Sequence, residues 1–187
     1  MKIFVLAFLF CWKSNIASAQ VFVQFSTPTA IAAGNACAGA QDVSIYAFRL
    51  ATFGGAGVNT LTQVAFTMSG TATVPGDVVQ YQLWRDAAGT GVLLGTSTTT
   101  TFSGLNVVYN TGTTFDFFIT ADIAALPVQG RTIIVNNMTN ANITMSANAN
   151  KFGNGTGAGG TQTIRLVPAG ITGGTTICEG ATTTLSI

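Results

Sequence analysis

The feature that most constrains this chain is a stretch of alternating side chains between Gly76 and Leu105. In residues 78–85 the odd-numbered side chains share one face and the even-numbered ones share the other, which is the period of a β-strand. Gly89 and Gly91 interrupt the pattern and predict a tight turn in which both glycines take positive φ. A short strand, a run of threonines and another turn follow. The stretch therefore predicts a hairpin that the rest of the chain must extend into a sheet.

Similar short segments recur at roughly 8–12-residue spacing, which is typical of all-β sandwiches. Charged residues make up only 7% of the 187 residues, so material for exposed helix faces is scarce. No window shows an amphipathic helical pattern with caps, and residues 122–126 suffice for one helical turn at most. We predict an all-β fold, an antiparallel β-sandwich of Ig-like architecture. The other predicted strands are Val21–Phe25, Val43–Leu50, Val64–Met68, Phe115–Asp122, Ile133–Val135, Ile143–Ala147 and Thr161–Val167, and residues 30–41 are predicted to be a loop.

Residues 1–19 have the pattern of a secretory signal peptide. Lys2 precedes the apolar run Ile3–Trp12, which is too short to span a bilayer, and the small residues Ala17–Ala19 provide a cleavage site before Gln20. We therefore expect a secreted or cell-surface protein with no transmembrane segment after cleavage. An uncleaved N-terminal membrane anchor is the alternative.

Pro168 divides the remaining chain into two predicted parts. Residues 20–167 are predicted to form the β-sandwich module. Residues 168–187 are expected to be a linker and the truncated start of a second Ig-like β domain, because the chain stops inside the predicted strand Thr182–Ile187. The alternative is a C-terminal strand that pairs with the first sandwich.

The order of several motifs carries a family resemblance. The motifs are Gly76-Asp77, QLWRD (82–86), TFSGL (101–105), FFITADIA (117–124), NITMSA (142–147) and GGTQTI (159–164). Together they resemble a repeated β-sandwich module of very large secreted and surface proteins of Bacteroidota-type bacteria. The tail, at residues 177–180 and 182–185, resembles the opening of bacterial Ig-like or PKD-like domains. The resemblance covers residues 37–187 and implies export, often by the type IX route, with adhesive or architectural roles.

The residue inventory argues against an enzyme. The chain has no histidine, which catalytic triads and histidine metal sites require. It has a single glutamate, Glu179, so a pair of carboxylates for hydrolysis is not expected. Nucleic-acid binding is not expected either, because the basic residues are scattered singly. We predict no catalytic, cofactor-binding or metal-binding residues. Four aspartates are expected to be solvated turn and face residues: Asp77, Asp86, Asp116 and Asp122.

Two glycine-containing loops resemble binding motifs. Residues 155–160 match G-x-G-x-x-G, but a strand follows where a dinucleotide site needs a helix, so we interpret them as a flexible loop. Residues 84–91 resemble a degenerate calcium loop with Asp86 as the first ligand and Ala88 at the second ligand position. Calcium would bind there only if Asp116 or Asp122 approached in space. Otherwise the loop is a tight hairpin.

Cys37 and Cys178 are the cysteines that remain after signal-peptide removal. Export to an oxidising compartment permits a disulfide between them. Because they fall in different predicted domains, a partner for Cys178 beyond Ile187 is the alternative.

The leading functional prediction is a non-catalytic extracellular module, structural or adhesive, whose partners are other domains of the same polypeptide, surface glycans or other cell-surface proteins. One alternative is a carbohydrate-binding module in which Trp84, Tyr81 or Tyr109 stacks on sugar rings; the competing interpretation places these aromatics in the core. A further alternative is an accessory domain of an exported enzyme whose catalytic part lies beyond Ile187.

Overall fold

A computed structural model describes residues 20–55, 57–146, 149–155 and 159–166. The predicted signal peptide and the predicted linker and second domain at 168–187 lie outside the described residues. The described residues form twelve strands and a 3₁₀ turn at Asn140–Asn142. The strands are Val21–Ser26 (β1), Gly34–Cys37 (β2), Val43–Gly54 (β3), Asn59–Ala65 (β4), Val78–Arg85 (β5), Val92–Ser97 (β6), Thr101–Tyr109 (β7), Thr114–Ile123 (β8), Thr132–Ile133 (β9), Ile143–Met145 (β10), Asn150–Phe152 (β11) and Gln162–Arg165 (β12).

The strands are arranged in three sheets. The largest has six strands in the order β11-β1-β3-β8-β5-β6, and two three-stranded sheets have the orders β10-β4-β7 and β2-β12-β9. Neighbouring strands are antiparallel except in two pairs, β1 with β11 and β2 with β12, which are parallel. Both parallel pairs join segments far apart in sequence, as a parallel pairing requires a long connection. The predicted all-β antiparallel sandwich is confirmed.

The predicted hairpin is present as β5 and β6, which pair antiparallel from Tyr81–Ser97 to Arg85–Val92. Gly89 takes the predicted positive φ of 66°. The same prediction was wrong for Gly91, whose φ is not positive. A Cβ at Gly91 would lie 2.1 Å from the carbonyl oxygen of Arg85, so close backbone approach is what requires glycine there.

Three predicted boundaries were also wrong. The segment 30–41, predicted to be a loop, contains β2, and β3 continues past Leu50 to Gly54. The strand predicted at Val64–Met68 lies earlier in the chain, as β4. The small residues of β2 have little strand propensity of their own. They form a strand because β12 provides a hydrogen-bonding partner, from Gln162–Gly34 to Arg165–Cys37.

The core lies on the inner face of the six-stranded sheet. Tyr46, Phe48 and Leu50 of β3 are fully buried, which confirms their predicted position on one face. The rings of Phe25, Phe48 and Phe117 come from three adjacent strands and stack with centroids 5.3 and 4.9 Å apart. A hydrophobic cluster draws residues from all three sheets, so the sheets share one packed interior.

A buried carboxylate fixes the turn that leads into β5. Asp77 is fully buried and accepts hydrogen bonds from the Thr73 amide (2.8 Å) and hydroxyl (2.9 Å), the Val128 amide (2.8 Å) and Arg131 Nη1 (2.7 Å). Burial alone would raise the pKa of Asp77, but these donors outweigh burial and lower it to about 2. The prediction that Asp77 is a solvated turn residue was therefore wrong.

Candidate functional site

Trp84 lies on the outer face of the six-stranded sheet, where β5 pairs with β8. Its indole Nε1 donates a 3.0 Å hydrogen bond to Thr120 Oγ1, and its partner in the strand register is Phe118. The side chain is half-buried, so part of it remains open to solvent. Because the hydroxyl bond holds the indole against the sheet, Trp84 presents a fixed aromatic surface.

The other two proposed stacking residues lie in the core, each with 1% of its surface exposed. Tyr81 donates its hydroxyl to Met68 Sδ at 2.9 Å, whereas the buried Tyr109 hydroxyl has no hydrogen-bond partner among the described residues. Burial raises the pKa of Tyr81 to about 12. Burial also raises the pKa of Tyr109. Neither ring is accessible to a sugar, so the stacking hypothesis was wrong for Tyr81 and Tyr109.

A row of polar side chains lies beside Trp84 on the outer face. Asp122 Oδ2 accepts 2.8 Å hydrogen bonds from Gln80 Nε2 and Gln82 Nε2, and its Oδ1 accepts one of 3.0 Å from the Asp42 amide. Asp122 is only 8% exposed, so its prediction as a solvated residue was wrong. Burial, followed by repulsion from Asp122, raises the pKa of the Asp42 carboxyl.

The degenerate calcium loop does not gather the carboxylates that calcium needs. The Asp86 amide donates to the Asp116 carbonyl oxygen at 2.8 Å, so the two main chains are adjacent. The Asp116 carboxylate, however, is bound by Arg49 through Nε at 2.6 Å and Nη2 at 2.8 Å. The Asp122 carboxylate is engaged by the two glutamines. Among the described residues, no group of three or more histidine, cysteine, aspartate or glutamate side chains is placed to hold a metal ion.

The described glycines of the 155–160 motif pack tightly against their neighbours, Gly155 and Gly159 against β1 and β3 and Gly160 against residues 31–33. A Cβ at Gly155 would lie 2.7 Å from a ring carbon of Phe25, and a Cβ at Gly159 would lie 2.7 Å from the Ile45 carbonyl oxygen. The Tyr46 hydroxyl accepts a hydrogen bond from the Met138 amide at 2.9 Å beside this segment. These glycines are therefore needed for packing, while residues 156–158 lie outside the described residues.

Cys37, at the end of β2, is disulfide-bonded. Cys178 lies outside the described residues, so the proposed Cys37–Cys178 pair stays a prediction.

An aromatic groove opens at one end of the outer face, where β1, β3 and β11 meet. It has a volume of about 650 Å³ and is lined by Phe22, Phe53, Asn150, Lys151 and Phe152. Phe53 and Phe152 are 39% and 38% exposed, which is unusual for phenylalanine. Sequence reasoning missed this groove because Phe53 lay beyond the predicted end of β3 and β11 was not predicted. The available signal was Phe22, an apolar residue on the outward face of its strand.

No protein-family model matches the chain, and no curated protein matches it. In the part of the chain that the structure describes, no helix is both long and apolar enough to cross a membrane.

Proposed function

We propose that this chain is a non-catalytic extracellular module, structural and adhesive, within a larger secreted or surface protein. The proposal rests mainly on one observation, the partners of the basic side chains in the described residues. Every basic side chain in the described residues donates to a protein oxygen, and all except Arg85, which bonds its neighbour Asp86, join separate segments of the chain. The pairs are Arg49 with Asp116, Arg85 with Asp86, Arg131 with Asp77, Lys151 with the Ile143 carbonyl and Arg165 with Asn35.

The disulfide at Cys37 supports an extracellular location. Disulfides form and persist in oxidising compartments and are rare where thiols are kept reduced. The proposal includes an Ig-like relationship and membership in the repeated modules of Bacteroidota-type surface proteins, on the strength of the motif order between Gly76 and Ile164.

The adhesive part of the proposal rests on the outer face of the six-stranded sheet. Its exposed aromatic surface lies at Trp84 and at Phe53 and Phe152, and the charged pair Arg49–Asp116 on this face is mutually neutralised. Contiguous apolar patches, unlike singly exposed residues, mark interaction surfaces, and Phe53 and Phe152 form such a patch with Phe22.

The test is to express the full chain in a bacterium that has an outer membrane and to determine where the protein accumulates. We expect it on the cell surface or in the medium, with Cys37 protected from maleimide until a reductant is added. Deleting residues 2–19 should retain the protein inside and leave Cys37 reactive. Retention of the intact chain in the cytoplasm with a free Cys37 thiol would contradict the proposal.

A second candidate function is carbohydrate binding through Trp84, favoured by the way Thr120 holds the indole at the surface. The hydrogen-bonding row of Gln80, Gln82 and Asp122 lies on the same face. Trp84→Ala should abolish oligosaccharide binding while leaving the far-ultraviolet circular dichroism unchanged, and Trp84→Phe should retain most of it. Unchanged binding in Trp84→Ala would exclude this site.

A further inference from the structure

The three phenylalanine rings of the groove form one aromatic cluster. The rings of Phe22 and Phe53 are nearly parallel, with an interplanar angle of 11° and centroids 6.2 Å apart. Phe152 stands almost upright against Phe53, at 74° and 5.5 Å.

The backbone at Gly54 packs closely against the Phe22 ring. A Cβ at Gly54 would lie 2.9 Å from a ring carbon of Phe22 and 2.7 Å from the Gln20 carbonyl oxygen. Only glycine at this position leaves room for the Phe22 ring, and its φ of 98° is one that other residues rarely adopt. The rings are thus preorganised by the strand pairing of β1 with β3, which reduces the ordering cost of binding.

Two amide side chains flank the rings on the same face. In the strand register Asn150 is opposite Phe22, and Gln24 is opposite Phe152. Both amides are solvent-exposed and neither forms a hydrogen bond to another described residue. Each can both donate and accept, which matches the hydroxyl groups around a sugar ring.

One charged residue lines the groove, and its ammonium is turned away from the rings. Lys151 is opposite the buried Val23 in the strand register, and its ammonium donates to the Ile143 carbonyl oxygen at 2.6 Å. Aromatic rings with neutral amides and no available cation suit a neutral ligand better than an anionic one. The C–H groups of a pyranose ring carry partial positive charge and are attracted to the negative face of a phenylalanine ring.

The size of the groove and its covered edge argue against a protein occupant. Five residues line it, whereas a stable protein–protein interface uses about 20–30 residues on each side. A volume of about 650 Å³ instead falls within the range of small-ligand sites. Addition of a partner strand to β11 is also obstructed, because Asn140 Nδ2 already donates to the Lys151 carbonyl at 2.8 Å and Thr139 bridges to Asn154.

We propose that the groove formed by Phe22, Phe53 and Phe152 is a binding site for neutral glycans, with sugar rings stacked on the phenylalanines and hydrogen-bonded by Asn150 and Gln24. The proposal deepens the adhesive function and rests on it. This site is separate from Trp84. Phe118 pairs with both Trp84 and Ala47, and Ala47 is six positions from Phe53 along β3, a distance of about 20 Å.

The test is titration calorimetry of the full chain with cellohexaose, xylohexaose, mannohexaose and chitohexaose, and with a sialylated oligosaccharide as the acidic comparison. We expect at least one neutral hexasaccharide to bind. Phe53→Ala and Phe152→Ala should each weaken that binding about tenfold, the effect of one lost aromatic contact. Phe152→Tyr, which keeps the ring, and Val108→Ala, an exposed residue of β7, should bind like the unmodified chain. Raising the salt from about 0.05 M to about 0.5 M should leave the affinity unchanged because no ion pair is involved.

Three results would overturn the proposal. If Trp84→Ala abolished binding while both phenylalanine variants bound normally, glycan adhesion would stand and this groove would be excluded. If only the sialylated oligosaccharide bound, with an affinity that fell as salt rose, the neutral-glycan assignment would be wrong. If no oligosaccharide bound a folded chain, the groove would not be a glycan site, and surface localisation would still decide the extracellular function separately. Thermal unfolding of each variant identifies any that fails to fold. If Phe53→Ala does not fold, Phe152→Ala still tests the groove, because Phe152 lies on the edge strand β11.

Discussion

Two buried tyrosines, Tyr46 and Tyr109, should respond in opposite directions to the same chemical change. Both rings are at most 1% exposed, and replacing either with phenylalanine removes one hydroxyl while leaving the ring in the core. The Tyr46 hydroxyl accepts from the Met138 amide at 2.9 Å and donates weakly to the Gly155 carbonyl at 3.4 Å. The Tyr109 hydroxyl has no partner among the described residues. The two substitutions therefore separate the effect of a satisfied hydroxyl from that of an unsatisfied one.

Tyr46→Phe leaves the buried Met138 amide without an acceptor. An unsatisfied buried polar group costs about 1–3 kcal/mol, so we expect the free energy of unfolding to fall by about 2 kcal/mol. Tyr109→Phe removes a hydroxyl that is already unsatisfied, and we expect the free energy of unfolding to rise by about 1 kcal/mol. For a chain of this size each kcal/mol corresponds to about 2–4 °C in Tm.

The assay is equilibrium urea unfolding at neutral pH, followed by circular dichroism, with the unmodified chain measured in parallel. Tyr81→Phe is a matched control, because its hydroxyl donates to the thioether of Met68, a weak acceptor, and should change stability little. The m-value should stay constant across the variants. If Tyr109→Phe were destabilised as much as Tyr46→Phe, the Tyr109 hydroxyl would have a stabilising partner and the reasoning would be refuted.

Three other predictions concern charge, backbone packing and the disulfide. Asp77→Asn should lower the free energy of unfolding at neutral pH by about 3 kcal/mol, because Arg131 loses its buried partner. Folding lowers the pKa of Asp77 from 3.8 to about 2, so the stability that Asp77 contributes is present above about pH 4 and is lost between about pH 4 and pH 2. The stability of the variant should therefore fall less steeply over this pH range in unfolding titrations, and an unchanged acid dependence would contradict this. Gly91→Ala should cost about 2 kcal/mol because its Cβ meets backbone at 2.1 Å, whereas the control Gly95→Ala, whose nearest atom is 3.7 Å away, should be near neutral in the same urea assay. Peptide mapping without reductant should recover Cys37 linked to Cys178, and a peptide carrying free Cys37 would argue against the pair.

Much of the fold was predictable from alternation alone. From Gln80 to Arg85 the strand alternates between the two faces as its period of two indicated, and the buried face of β3 at Tyr46, Phe48 and Leu50 was read correctly. At the start of β5 the prediction was wrong, because a register shift between Val78 and Gln80 buries Val78 and leaves Val79 48% exposed. Local pattern works here because a half-buried strand imposes opposite environments on successive side chains. It failed for β2, where the strand depends on a partner more than 100 residues away along the chain.

The candidate sites were harder to predict, because the same alternation describes a core face and a surface face. Tyr81 and Trp84 are near neighbours in β5, yet one is fully buried and the other reaches solvent. Asp77 looked like an ordinary turn residue because its donors Val128 and Arg131 are more than 50 residues distant. The spacing of residues within one segment does not indicate which distant part of the chain will cover that segment.

The sequence by itself determined the class of fold and excluded histidine chemistry, since both follow from composition and local period. Only the tertiary structure decided which aromatics are accessible. Phe22, Phe53 and Phe152 are separated by 31 and 99 positions along the chain, and the pairing of β1 with both β3 and β11 brings their rings together. That pairing depends on contacts across the whole sandwich, which is why the hairpin at 76–105 was visible in the sequence and the aromatic groove was not.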